Sequence, residues 1–313
     1  MSPKSIIVSI AAGLATVLCV MASFQIGAGA SPLMLIAAFP IYVATLSHGT
    51  TVGVGSSVLA IIVAATAISP QVAIGIGLAF TIPASIIAHQ ANLAQETNGE
   101  MEWYPLPQLF FNLCIVLSIG LVVLGFLSGY NPDLLAPVLS EAVKEALKAN
   151  PPVRPLSEEE IQAITKTAFS ILPFFFAGIW LIIHVLNLHL ATLVCRLSNM
   201  IPRPKDDIPV EANLPKFAIA IMVIALLLSF ILSDIAQFFV LIISGIFFMA
   251  FSLIGLANLH RRARNNPASI VLVIASYIAI FFIYPALYLF SISGVLRTFK
   301  QSNNQTNTPP QAE

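Results

Sequence analysis

From Ser5 to Gln95 the chain carries not one Asp, Glu, Lys or Arg, a charge-free run of 91 residues. At about 20 residues per helical crossing, that run is long enough to traverse a bilayer about four times. Across the 313 residues 58% are hydrophobic and only 9% charged, against roughly a quarter charged in an ordinary soluble domain, so there is too little polar material to cover a globule. The lipid bilayer is the expected solvent and first partner. An open sheet would leave backbone N–H and C=O groups unpaired in hydrocarbon, and a barrel would alternate apolar with polar residues where this chain is continuously apolar. The expected fold class is therefore all-α, a polytopic transmembrane helical bundle.

Turn-forming residues divide the apolar sequence. Gly27, Gly29, Ser31 and Pro32 close a first span near 6–24, Ser47, His48 and Gly49 a second near 33–46, and Ser69 with Pro70 a third near 52–68. A fourth, near 72–88, runs into a polar loop from Asn92 to Pro107. Further spans are read near 109–127, 168–194, 217–232, 235–259 and 270–295. The second is short and holds Pro40, so the reading is 8 to 9 spans within an integral membrane domain over 1–300. Ile6 to Phe24 is longer than a signal-peptide core and more spans follow at once, so a retained first helix is expected.

Lys and Arg in short loops set the orientation. With the N-terminus cytoplasmic in a bacterial inner membrane, Lys4, Arg196, Arg203, Lys205, Lys216, Arg261, Arg262 and Arg264 all face inward. Nine spans then strand Arg297 and Lys300 on the far side, against the same rule. An even number would remove the conflict.

Three polar elements lie outside the spans. In the insert over 131–167, Leu135, Leu139, Val143 and Leu147 recur every four residues, which predicts an amphipathic helix lying on a surface or serving as a lid. Ser157 with Glu160 three residues later predicts a capping box opening the next helix. The loop from Arg196 to Lys216 is stiffened by proline and reads as a topology anchor or a docking site. The Gln-, Asn-, Thr- and Pro-rich tail over 301–313 is expected to be disordered.

The chemistry is sparse. There is no G-x-x-x-x-G-K-[ST] loop to hold a nucleotide and no H-E-x-x-H zinc motif. The 14 basic and 14 acidic residues balance, so no nucleic acid partner is implied. Cys19, Cys114 and Cys195 are scattered in apolar stretches and read as packing. No cofactor and no enzymatic activity are expected. Within the spans, Trp180, His184 and Asn187 share one helical face and are the candidate lining of a polar cavity, or else donors to neighbouring helices. His184 and His189 are about 140° apart on a helix, which does not make a metal-binding pair. Gln25 and Asn112 are the other deep amides, and Asp234 reads as the N-cap of the eighth span. Ala11-x-x-x-Ala15, and Gly49, Gly53 and Ser57, are small-residue patterns that let helices approach closely. Pro40, Pro83, Pro173 and Pro285 interrupt spans two, four, six and nine.

Over most of its length the chain resembles the YybS-like family of bacterial membrane proteins, a domain of unknown function. The resemblance rests on the Gly- and Ala-rich opening spans, Glu102-Trp103-Tyr104-Pro105, Leu186-Asn187-Leu188 leading to Ile201-Pro202-Arg203-Pro204, and the stretch from Gly245 to His260-Arg261-Arg262. That family is similar to the S-components of energy-coupling-factor transporters, which implies an S-component-like six-helix core binding a small solute. It also implies contact of Ala11 and Ala15 with a coupling subunit. The expected function is thus a transporter-type solute-binding component without its own ATPase. Its implied partners are coupling subunits or other membrane proteins and an unknown small solute. The alternative is a non-transporting scaffold of an envelope or division complex.

Overall fold

A computed structural model describes residues 2–25, 31–130, 132–149, 154, 156–264, 269–282 and 286–306. The first half contains α1 (Pro3–Gln25), α2 (Ser31–Leu35), α3 (Phe39–His48), α4 (Thr50–Ala67), α5 (Pro70–Ile76), α6 (Ile82–Ala91) and α7 (Leu106–Leu127). A π-helical turn at Gly77–Thr81 joins α5 to α6. The second half contains α8 (Pro132–Ala149), α9 (Glu158–Leu197), α10 (Ile208–Glu211), α11 (Phe217–Leu228), α12 (Asp234–Ala263), α13 (Ser269–Phe282) and α14 (Ala286–Thr306). The fold is an all-α bundle, and among the described residues six helices are long and apolar enough to cross a membrane: Pro3–Ser23, Thr50–Ala67, Pro70–Ala91, Leu106–Leu127, Glu158–Leu197 and Asp234–Ala263.

The surface is that of a protein dissolved in lipid. Along α1, Ile6, Ile10, Leu14 and Leu18 point outward, while Ala12, Thr16, Val17 and Val20 are buried. The large residues therefore face away from the bundle, and the small ones pack within it. Lipid tails are as apolar as leucine, so close packing and hydrogen bonds must supply the helix-to-helix attraction. Gly13 abuts the Ser56 carbonyl of α4, Gly245 of α12 that of Phe174 in α9, and Gly255 of α12 that of Phe290 in α14. The close approach of α1 is thus made through Gly13. Ala11 is exposed and Ala15 half-buried.

Three segments depart from the sequence reading. The second span is broken at Ile36–Ala38 between α2 and α3. The seventh holds a helix of only 12 residues, α11, about 18 Å long against a hydrocarbon core of about 30 Å. The ninth is divided into α13 and α14, with Pro285, which has no N–H to give a helix, in the sequence between them. Helix α14 also continues to Thr306, past the boundary drawn at Lys300, while 307–313 lie outside the described residues. In the polar loop, β1 (Ala94–Thr97) and β2 (Glu100–Trp103) pair as an antiparallel hairpin. Asn98 and Gly99 both take positive φ at its turn, the conformation that a two-residue hairpin loop requires.

Hydrogen bonds fix the direction of each helix. Ser9 donates to the Val52 carbonyl and Gly13 lies on Ser56, so α1 and α4 run parallel. Ser252 donates to the Leu287 carbonyl and Asn258 to Ser293, so α14 runs parallel to α12, and α13 is the return between them. Helix α14 therefore finishes at the same end as α12. At that end Arg264 pairs with Asp207 at 2.7 Å, Thr298 donates to Asn213 at 2.6 Å, and Arg203 donates to the carbonyls of Ala91 and Tyr104 at 3.1 and 3.0 Å. Asn92 reaches the Thr45 and Leu46 carbonyls at the same place. The start of α1, the β-hairpin, the loop from Arg196 to Lys216 and the end of α14 thus share one end, here called the basic end.

Helices α8 and α9 form a hairpin at the opposite end. The predicted capping box is present: Glu160 N–H donates to Ser157 Oγ at 3.2 Å, and Ser157 N–H to Glu160 Oε2 at 2.8 Å. Arg154 and the Ser157 N–H together hold the Glu160 carboxyl below its ordinary range. Lys144 of α8 bridges to Glu158 at 2.7 Å. With 40 residues, α9 is about 60 Å long, about twice the hydrocarbon thickness.

Candidate functional site

The polar stripe of α9 meets two helices that proline has broken. Pro83 stands four residues after Ala79 and has no N–H, so no i to i−4 bond reaches the Ala79 carbonyl. The π-turn absorbs the mismatch, and the free carbonyl accepts two side-chain donors, Trp180 Nε1–H at 2.8 Å and His184 Nε2 at 2.8 Å. A carbonyl only accepts, so His184 carries its proton on Nε2. Its Nδ1 then accepts from the Tyr42 hydroxyl at 3.0 Å. Both ring nitrogens are satisfied in a side chain that is 0% exposed.

The second break follows the same logic. Pro40 has no N–H for the Ile36 carbonyl, and the Phe39 N–H takes that role at 3.0 Å. Leu35 thereby loses the donor that a continuous helix would have provided. Asn187 Nδ2 fills the gap at 2.6 Å, and also bonds the Ile183 carbonyl of its own helix at 2.7 Å. Trp180, His184 and Asn187 therefore cap carbonyls that prolines have freed, while Asn187 Oδ1 is buried without a partner among the described residues. Trp180 does line a mostly apolar pocket of about 310 Å³ with Met34, Gln71, Leu121 and Phe176, but neither His184 nor Asn187 borders it.

A different place has the form of a binding site. Helices α9 and α12 touch at Gly178 and Gly245. Nearer the basic end the same pair borders a cavity of about 270 Å³, with α7 as a wall and α10 over it. Leu109, Leu113, Val185, Leu188, Leu253 and Ile254 make its body apolar. His189, Thr192, Arg203, Asp206 and His260 form a polar rim. Arg203 is buried and committed: Nε and Nη2 grip the two Asp206 oxygens at 3.1 and 2.6 Å, and Nη1 serves the carbonyls of Ala91 and Tyr104. It fixes the rim in shape, leaving little of its fork to a ligand. His260 Nε2 lies 3.0 Å from the Tyr277 hydroxyl. His189 is on the wall, exposed, with no hydrogen bond from its ring among the described residues.

The remaining sequence candidates are dispersed. Asn112 donates to Gln90 and to the Tyr104 hydroxyl, bracing the hairpin rather than a deep interior. Ser233 occupies the N-cap position of α12, and Asp234 follows it with φ +55° as an exposed first-turn residue. The Gln25 side chain lies outside the described residues. Among the described residues no three His, Cys, Asp or Glu side chains gather as metal ligands would. Fold and site together define an all-helical bundle of membrane type with an apolar, polar-rimmed cavity toward one end. No family model matches the chain, and no match is found among curated proteins or solved structures.

Proposed function

We propose that this is a multi-pass inner-membrane protein of transporter type that binds a small amphipathic solute in the cavity between α7, α9, α10 and α12. The observation that carries the reading is the cavity itself: about 270 Å³, apolar in its body and polar at its rim, which suits a molecule with an apolar frame and one polar end. In the S-component-like arrangement, energy for transport is supplied by separate subunits. Ala11 is exposed on α1, as the contact with a coupling subunit in an S-component-like arrangement requires. The scaffold alternative draws support from the α8–α9 hairpin, which is long and amphipathic.

The reading takes α1, α2 with α3, α4, α5 with α6, α7, α9, α11 and α12 as eight crossings, with α13 and α14 entering and leaving on one side. Arg297 and Lys300 then join the other loop cations at the cytoplasmic face, and the parity conflict disappears.

The test is a thermal-shift screen of the purified protein against vitamins, metabolites and lipid-like compounds, repeated with Ala257→Phe, which fills the cavity. A ligand that raises Tm in the wild type and not in the variant is the expected result. A screen without any hit, or a hit indifferent to Ala257→Phe, rejects the cavity as the binding site.

A further inference from the structure

We propose that Arg297, with Arg261 beside it, forms a binding site for an oxyanion of the phosphate class, separate from the cavity. Arg297 is 5% exposed. One guanidinium nitrogen, Nη2, donates to the Val210 carbonyl at 2.5 Å, while Nε and Nη1 are buried with no hydrogen-bond partner among the described residues. No ion pair reaches it among the described residues. Of the acids in the 196–216 segment, Asp206 pairs with Arg203, Asp207 with Arg264 through Oδ2 alone, and Glu211 accepts the Asp207 N–H at 2.8 Å, while Asp207 Oδ1 and, one turn along α14, Gln301 Oε1 are buried acceptors without a partner among the described residues. The pairing with Arg264 holds the Asp207 carboxyl below its ordinary range.

The surroundings add positive charge. Asn258 of α12 meets Ser293 of α14, and one turn further on the parallel helices bring Arg261 beside Arg297, where its field opposes the second cation. Arg261 has one nitrogen on Asn258 Oδ1 at 3.0 Å and is otherwise exposed. A buried guanidinium with orphaned N–H groups is costly, and a like charge nearby makes it more so. A doubly cationic site with unused planar donors matches the geometry of a phosphate group. Two sources carry that group to this end of the bundle: the headgroup of an anionic lipid, or a free phosphate.

The experiment uses the full chain in zwitterionic micelles at constant ionic strength. Inorganic phosphate and, separately, phosphatidylglycerol against phosphatidylcholine are titrated while Tm is read. One of the two anions is expected to raise Tm saturably. Arg297→Gln is expected to weaken the half-saturating concentration by roughly 10- to 100-fold, and Arg262→Gln, an exposed neighbour, to leave it unchanged. A response to phosphate alone identifies a free oxyanion, and a response confined to phosphatidylglycerol identifies a headgroup. Should Arg297→Gln fail to fold, Arg261→Gln, which leaves the buried side chain in place, is expected to weaken the response. No response to either anion overturns the proposal, as does a response that Arg297→Gln, or Arg261→Gln in its stead, leaves undiminished. Arg297→Met adds a readout that a merely structural arginine would not give: Tm unchanged or raised without anion, and lowered relative to wild type only when anion is present.

Discussion

At the scale of single residues, a proline costs a membrane helix one hydrogen bond, and this chain returns the loss from a neighbouring helix. Trp180→Phe removes one of two donors to the Ala79 carbonyl and is expected to lower stability by about 0.6 kcal/mol, and at most about 1.7. In a Pro83→Ala background the backbone regains its own donor, so the same substitution should cost close to nothing. Unfolding in detergent across the double-mutant cycle measures the coupling; equal costs in both backgrounds would refute the pairing. The stripe Trp180, His184 and Asn187 was legible from spacing alone, because a helix repeats every 3.6 residues. Its targets were not, since they are main-chain atoms of residues 35 and 79, freed by prolines 40 and 83, and side-chain periodicity carries no trace of a carbonyl.

At the scale of elements, glycines decide how closely helices meet. A methyl group at Gly245 would press on the Phe174 carbonyl, so Gly245→Ala should force α9 and α12 apart and cost about 1–3 kcal/mol. Guest-exchange at the cavity they border should change with it; a variant melting with the wild type would contradict the packing. Six long apolar helices were readable from their apolar runs, and the capping box from Ser157 and Glu160. The division of the ninth span into α13 and α14 was not, because hydropathy is continuous from Ile270 to Val295. The β-hairpin did have a local signal, Asn98-Gly99, but it sits in a polar loop beside far stronger helical patterns. The cavity had none: its walls come from α7, α9, α10 and α12, and their meeting depends on packing that no single segment encodes.

At the scale of the molecule, one end gathers most of the cations and the other holds the α8–α9 hairpin. Single cysteines replacing Lys4 and Lys300 in a cysteine-free chain should react alike with a membrane-impermeant thiol reagent, and one at Arg154 should react only from the opposite face. Lys300 labelling with Arg154 would defeat the arrangement of α13 and α14. The three capping donors all ride on α9, so the two interrupted helices are lashed to one post. A twist of that post by a few tens of degrees would withdraw its side chains from both breaks in a single movement. At about 60 Å the post is about twice as long as a hydrocarbon core is thick, and α8 grips its far stretch through Lys144 and Glu158. Torque applied out there would be delivered to the middle of the membrane without any intervening joint.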